Sequence, residues 1–266
     1  MNPNLPFEES PDFVQSLARG LDVLRAFDRE NPSMSLSEVS ERTGLARAAA
    51  RRSLLTLGHL GYVGQKGRQF FLTARVLELG FGYLSSLNLP ELAMPWMEQL
   101  AHRVNESTSL SVLDGQDIVY VARVPVRRVM TIALGVGARL PAFAASMGRV
   151  LLAGLDPEAL DAWFAKATFY PLTSHTITDP RRLREEILRT RDQGYGLVVQ
   201  ELELGLCSLS VPIRDRQGKV VAALNVGMQF HEGIKAHALK DVLPALRETQ
   251  AAIEGATAHH WASLGA

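Results

Sequence analysis

Cysteine is almost absent from this 266-residue chain. Cys207 stands alone, so no intramolecular disulfide can form, and no Cys/His spacing suits a zinc site. Long apolar runs are missing too: nothing approaches the roughly 18 uncharged apolar residues of a membrane span. The amino-terminal stretch MNPNLPFEESPDF is acidic and proline-bearing where a secretory leader would be basic and then apolar. These absences argue against a membrane or secreted protein and fit a reducing cytoplasm. Net charge is missing as well, with 28 Lys and Arg against 28 Asp and Glu. What is present, 47% hydrophobic residues over this length, is enough for a real core in one large domain or two smaller ones.

One further absence is local. From Arg42 to Arg75 there is no Asp or Glu, while the segment carries Arg42, Arg47, Arg51, Arg52, Lys66, Arg68 and Arg75. A one-signed patch suits a polyanion, or it is a solvated basic face, and charge alone does not choose. The local pattern does. Val14, Leu17, Leu21, Leu24 and Phe27 have the spacing of an amphipathic first helix ended by Asn31-Pro32. Ser35-Leu36-Ser37-Glu38 is a capping box opening a second helix, which presents Leu36, Val39 and Thr43 and stops at Gly44.

A third helix is expected from about Ala46, with Ala50, Leu54 and Leu57 in one stripe and Arg47, Ala48, Arg51, Arg52 and Thr56 on another arc. Leu55 falls in the polar arc without an obvious place. YVGQKGRQFFLT then reads as strands Tyr62–Val63 and Gln69–Thr73 joined by Gly64-Gln65-Lys66-Gly67, a wing tipped by Lys66 and Arg68. Helix, short helix, basic helix and basic hairpin make a winged helix-turn-helix, whose basic helix enters the DNA major groove. A protein-binding winged helix is the alternative. The candidate DNA contacts are Ser35, Arg47, Ala48, Arg51, Arg52, Thr56, Lys66 and Arg68.

Leu77, Phe81, Leu84 and Leu87 continue a helical stripe up to Asn88-Leu89-Pro90, a connecting helix apolar enough to pack on a second copy or within the chain. Beyond it, the strand-like runs TSLSVLD, DIVYVARV, RVMTIAL, GLVVQEL, CSLSVPI and KVVAALNVGM alternate with helical stretches at Pro180 to Gln193 and Lys235 to Glu254. Asp114-Gly115 and Arg216-Gln217-Gly218 are hairpin signals, so neighbouring strands are expected to be antiparallel. The fold class is α+β, divided as 13–74, a DNA-binding domain, 75–88, a linker helix, and 89–256, a sensor-like domain.

Arg123, inside DIVYVARV, is a guanidinium on a half-buried strand and wants a carboxylate, from a ligand or from Glu201 or Glu203. Ala144-Ala145-Ser146-Met147-Gly148 approaches a nucleophile elbow without its first glycine, and Cys207 opens an apolar strand. A Ser146-dependent hydrolase is therefore a remote alternative. His259-His260 reads as solvent-exposed, not as a metal site.

Arg19-Gly20-Leu21-Asp22-Val23-Leu24, Gly44-Leu45 with Arg51, and Leu57-Gly58-His59-Leu60-Gly61-Tyr62 resemble the amino-terminal signature of the IclR family of bacterial transcriptional regulators. GARLPAFAASMGRVLLAGL and QELELGLCSLSVPIRDRQGKVVAALNV resemble its effector domain. Within the family, Ser146-Met147-Gly148-Arg149, Gln200-Glu201-Leu202-Glu203 and Ala223-Leu224-Asn225-Val226 look most like regulators of protocatechuate, 4-hydroxybenzoate and β-ketoadipate catabolism.

The resemblance implies a GAF-like antiparallel-sheet effector domain, a homodimer or dimer of dimers, double-stranded operator DNA and a small carboxylic-acid effector as partners, and no catalysis, cofactor or metal. It implies an effector site between the turn into the Ser146 helix and the strands around Glu201, Cys207-Ser208 and Asn225. Ser146, Met147, Ser208 and Asn225 would hold the ligand, Gly148 would give close backbone approach, and Leu140, Met130 and Ile132 would form the wall. Val198, Asn225 and Gly227 depart from the polar, acidic or serine residues of many members, which argues against a glyoxylate-like ligand. Regulators of another small acid, or a second domain used only for assembly, are the alternatives.

Overall fold

The structure, a computed structural model, describes residues 7–80, 89–126 and 135–263. The chain divides into two compact units, residues 1–86 and residues 87–266. Among the described residues no helix is long and apolar enough to cross a membrane.

The first unit is built from three helices and a small sheet. Helix α1 (Gln15–Arg25) is followed by β1 (Ser33–Ser35), α2 (Leu36–Thr43), α3 (Arg47–His59), β2 (Val63–Lys66) and β3 (Gln69–Leu72). The capping box forms as its sequence demands: the Glu38 N–H donates to the Ser35 hydroxyl and the Ser35 N–H to the Glu38 carboxylate. Gly44 closes α2 at φ +66°, a conformation that a β-carbon disfavours. Ala50, Leu54 and Leu57 point into a core with Val23, Phe27, Val39 and Phe70.

Three expectations change. In α1 the buried residues are Val23, with Ala26 and Phe27 just beyond, while Val14, Leu17 and Leu21 are exposed. The apolar stripe is wider than the core needs, and its amino-terminal part is left outside. In the wing, β2 runs on to Lys66 and pairs with Gln69, leaving a two-residue turn, Gly67-Arg68, with Gly67 at φ +62°. β1, too short for any periodicity, adds a third strand on the other side of β3. The connecting segment opens with a 3-10 turn, Ala74–Val76, and residues 77–80 are helical, with Leu77 exposed. Phe81, Leu84 and Leu87 lie outside the described residues.

The second unit is a six-stranded antiparallel sheet in the order β6-β5-β4-β9-β8-β7, made of β4 (Ser107–Asp114), β5 (Asp117–Val124), β6 (Arg139–Pro141), β7 (Gly196–Val199), β8 (Leu206–Arg214) and β9 (Val220–Gln229). Asp114↔Asp117 closes the first predicted hairpin around Gly115 at φ +63°, and Gly218 at φ +80° serves the second. On one face lie α5 (Ser146–Ala153), α6 (Pro157–Lys166) and α7 (Pro180–Gln193), sharing a core with Ile118, Tyr120 and Ala223. Helices α4 (Leu89–Val104) and α9 (Leu243–Ser263) pack together against the strands, and the Thr108 hydroxyl, on the opposite side of β4 from Ser109, donates to the Met97 carbonyl.

Leu89-Pro90, read together with Asn88 as a stop, opens α4 instead, because proline is compatible with a first helical turn. The strand expected through Leu202 ends at Val199, where Gln200 turns the chain at φ +59°. The carboxy-terminal helix is broken into α8 (Ile234–His237), a π turn at Ala238–Val242, and α9, where Pro244 supplies no N–H to continue the ladder. The strand expected over 128–134, Met130 and Ile132, and the side chains of His259 and His260 fall outside the described residues.

Candidate functional site

On the first unit the basic residues sort themselves by partner. Arg42 is ion-paired with Asp28, and Arg75 with Glu78 while its guanidinium lies over the Tyr62 ring. Among the described residues Arg47, Arg51, Arg52, Lys66 and Arg68 have no ion-pair partner, and all five are exposed. The run of seven thus divides into two structural cations and five free ones on α3 and the wing. Ala48 and Thr56 are exposed on the same helix, and Leu55 stays exposed among them, 46% accessible. Ser35 is committed to its cap, so only the partly exposed edge of its hydroxyl faces outward.

This arrangement gives a graded expectation. Arg51→Ala or Arg52→Ala should weaken operator binding by about 1–3 kcal/mol where a base edge is read, with folding intact. Lys66→Ala and Arg68→Ala should instead weaken operator and random duplex alike, each reducing the slope of log affinity against log salt by about one. Gel-shift titrations across salt concentrations separate the two groups, and a slope identical to wild type excludes phosphate contact.

In the second unit, one face of the sheet carries an unusual set of small polar side chains. Strand alternation and register place Ser107, Ser109 and Ser111 on β4 beside Gly227, Asn225 and Ala223 on β9, and these beside Ser208 and Ser210 on β8. β5 would place Tyr120 and Arg123 on opposite faces if it were regular. A bulge at Val121 opposite the Leu110–Ser111 step inserts one residue, so both side chains line the same cavity. That cavity is lined by Ser107, Ser109, Tyr120, Arg123, Leu140, Ala145, Ser146, Met147, Leu202, Leu206, Ser208, Asn225 and Gly227.

Its polar hub is Ser146, the first residue of α5. The Ser146 hydroxyl lies 2.8 Å from the Ser208 hydroxyl and 2.7 Å from that of Ser210, and the Asn225 amide donates to it at 3.2 Å. The Ser111 hydroxyl donates to the Met147 sulfur at 3.1 Å. Arg123 is half-buried at the cavity wall. Its guanidinium donates to the Ser109 hydroxyl at 3.4 Å, and among the described residues no carboxylate pairs with it. Burial pushes the Tyr120 phenol up to about 12 against the pull of Arg123, keeping it a neutral hydroxyl. The result is a mostly apolar cavity with a hydroxyl and amide cluster and one uncompensated cation.

Three expected site residues are placed elsewhere. Glu201 is turned away from this cavity: it pairs at 2.6 Å with Arg149, itself 3% exposed, and accepts from the Ile177 N–H at 3.2 Å. The buried guanidinium of Arg149, on the helix that Ser146 opens, holds it, so it is not the partner of Arg123. Gly148 gives close approach to the Ala142 backbone, not to the cavity. Cys207 alternates with Ser208, so it faces the opposite side of the sheet and is fully buried. Tyr120, Ser107 and Ser109 were missed, because the bulge is invisible in the sequence and short serine-bearing strands read as ordinary half-buried sheet.

Burial pushes the Cys207 thiol up to about 11, so it stays protonated well above neutral pH. The folded chain is expected to resist a thiol reagent at pH 8 and to react at once when unfolded. Fast labelling of the native state would contradict the placement. The raised thiol pKa also means that stability conferred by the neutral form is complete below the ordinary thiol range and falls as pH rises through about 11.

Residues 81–254 match the model of the bacterial transcriptional regulator IclR carboxy-terminal domain, and residues 16–67 match the IclR helix-turn-helix domain. This chain belongs to the IclR family. It is 42% identical to the Pca regulon regulatory protein of Pseudomonas putida over 90% of this chain and 83% of that one. It is 39% identical to the p-hydroxybenzoate hydroxylase transcriptional activator of Acinetobacter baylyi over 90% of each. A crystal structure of a transcriptional regulator from Rhodococcus sp. RHA1 is similar with a TM-score of 0.80 and 51% identity, covering 92% of this chain and 98% of that one. That of an IclR homolog complexed with 4-hydroxybenzoate, from Microbacterium hydrocarbonoxydans, also has a TM-score of 0.80, at 27% identity over 91% and 98%. The family model and these relatives place the winged helix-turn-helix and the curled antiparallel sheet of this IclR-family chain among transcriptional regulators.

Proposed function

We propose that this chain is a ligand-responsive regulator of an aromatic-acid catabolic operon, which binds double-stranded operator DNA through α3 and the wing and holds a small aromatic carboxylic acid in the serine cavity. The observation that carries this reading is Arg123, a half-buried cation without a carboxylate partner among the described residues, facing the hydroxyl and amide cluster of Ser146, Ser208, Ser210 and Asn225. A hydroxylated benzoate offers what both ends lack, a carboxylate for the guanidinium and a phenol for the hydroxyl cluster, with Leu140, Met147 and Leu202 against its ring. The relatives named Pca regulator and p-hydroxybenzoate hydroxylase activator, and the homolog holding 4-hydroxybenzoate, support the same class.

The working division is 13–74 for DNA, 75–88 as linker and 89–256 for the effector, in a homodimer or dimer of dimers acting in the cytoplasm. Exposed Leu17, Leu21 and Leu60 beside α3 supply apolar surface suited to a second copy. Catalysis is not part of this reading: among the described residues the partners of the Ser146 hydroxyl are two serines and an amide, none of them a general base.

Calorimetry with protocatechuate, 4-hydroxybenzoate and β-ketoadipate tests it. At least one aromatic acid should bind, and Arg123→Met should weaken it about tenfold or more, the worth of a charged hydrogen bond. No heat from any of the three, or an affinity unchanged in Arg123→Met, would overturn the proposal.

A further inference from the structure

Beyond Leu202, on the side of its neighbour Glu201, lies a second opening with a different chemistry. Ile177 and, from the outward face of the edge strand β7, Leu197 and Val199 add apolar side chains to its lining. Arg149, Arg182 and Lys235 bring cations to it from three separate elements, α5, α7 and α8. Its two acids are already matched: Glu186 pairs with Arg189 at 2.9 Å and Glu201 with Arg149 at 2.6 Å. Among the described residues Arg182 and Lys235 have no ion-pair partner. Arg149 is 3% exposed, and its Nε has no acceptor among the described residues, an arrangement that buried donors ordinarily avoid.

We infer that this cavity is a second effector site, for a small dicarboxylate. An inorganic anion would satisfy the cations and leave the apolar side chains wet, and an apolar monoacid would cover them and leave one cation unmatched. Two carboxylates joined by a short hydrocarbon spacer meet both demands. The site borders the serine cavity through shared parts. Ser146 and Arg149 sit on the same helix, and Leu202 walls the first cavity while its neighbour Glu201 walls the second. An anion held by Arg182 and Lys235 beside the Arg149–Glu201 pair therefore lies next to the residue pair Glu201-Leu202 that borders both cavities, which gives the two sites a physical route for coupling.

The test is calorimetry on the full chain with glutarate, valerate and inorganic phosphate. Glutarate should bind at one site per chain, with valerate and phosphate at least about tenfold weaker. Arg182→Ala/Lys235→Ala, which alters only exposed side chains, should reduce glutarate affinity about tenfold or more while keeping the wild-type melting temperature, and Arg123→Met should leave it unchanged. No glutarate binding up to about 10 mM, equal affinity in the double variant, or loss in Arg123→Met would overturn the inference.

Discussion

Gly148→Ala is expected to lower stability by about 3 kcal/mol or more, roughly 6–12 °C in melting temperature for a domain of this size. A β-carbon at this position would lie 2.0 Å from the Ala142 carbonyl oxygen and 2.4 Å from its Cα. Both are backbone atoms in a fully buried turn, so no rotamer change relieves the clash, and α5 must lift off residues 142–144. Ser146 and Met147 would move with it, so any folded fraction should also lose the geometry of the serine cavity. Gly20→Ala is the control: it lies inside α1 with nothing within 4 Å of an added β-carbon, and it should be neutral or stabilising by up to about 1 kcal/mol. Thermal unfolding followed by circular dichroism reads both, and a Gly148→Ala variant melting with wild type would refute the packing described.

Glu201→Ala should cost about 3–5 kcal/mol, because it strands Arg149 in a site that is almost closed to water and where its Nε already lacks an acceptor. The partner of a buried pair is costly to remove singly and much cheaper to remove with its mate. Glu201→Leu combined with Arg149→Met should therefore recover most of the loss in urea titrations. Additive losses would mean that the two side chains are not coupled.

Much of the fold was legible because local signals and tertiary demand agreed. The capping box at Ser35, the αL stop at Gly44, the stripe Ala50, Leu54 and Leu57, and the helix Pro180–Gln193 all formed where the sequence placed them. Legibility failed where one pattern served two outcomes. Leu17 and Leu21 have core spacing yet remain exposed, and Asn88-Leu89-Pro90 suits a helix start as well as an end. In the second unit, Ser146, Met147, Ser208, Asn225, Leu140 and Arg123 line one cavity. Tyr120 joins them only through a bulge, a register event with no residue signature, and Glu201 leaves them because it pairs with the buried Arg149, three residues after Ser146 on the same helix. Family resemblance located the region, while the side that each residue faces had to come from strand parity.

The central claim, that acid in the second unit changes DNA affinity in the first, is tested most directly by one titration. The full chain, bound to an operator selected from a random duplex library, is measured by fluorescence anisotropy with and without saturating 4-hydroxybenzoate or protocatechuate. The account predicts a shift in operator affinity of about 5- to 150-fold with one of these acids, and the same factor in acid affinity when operator is added first, since coupling is reciprocal. Operator affinity identical with and without an acid that calorimetry shows to be bound would contradict it.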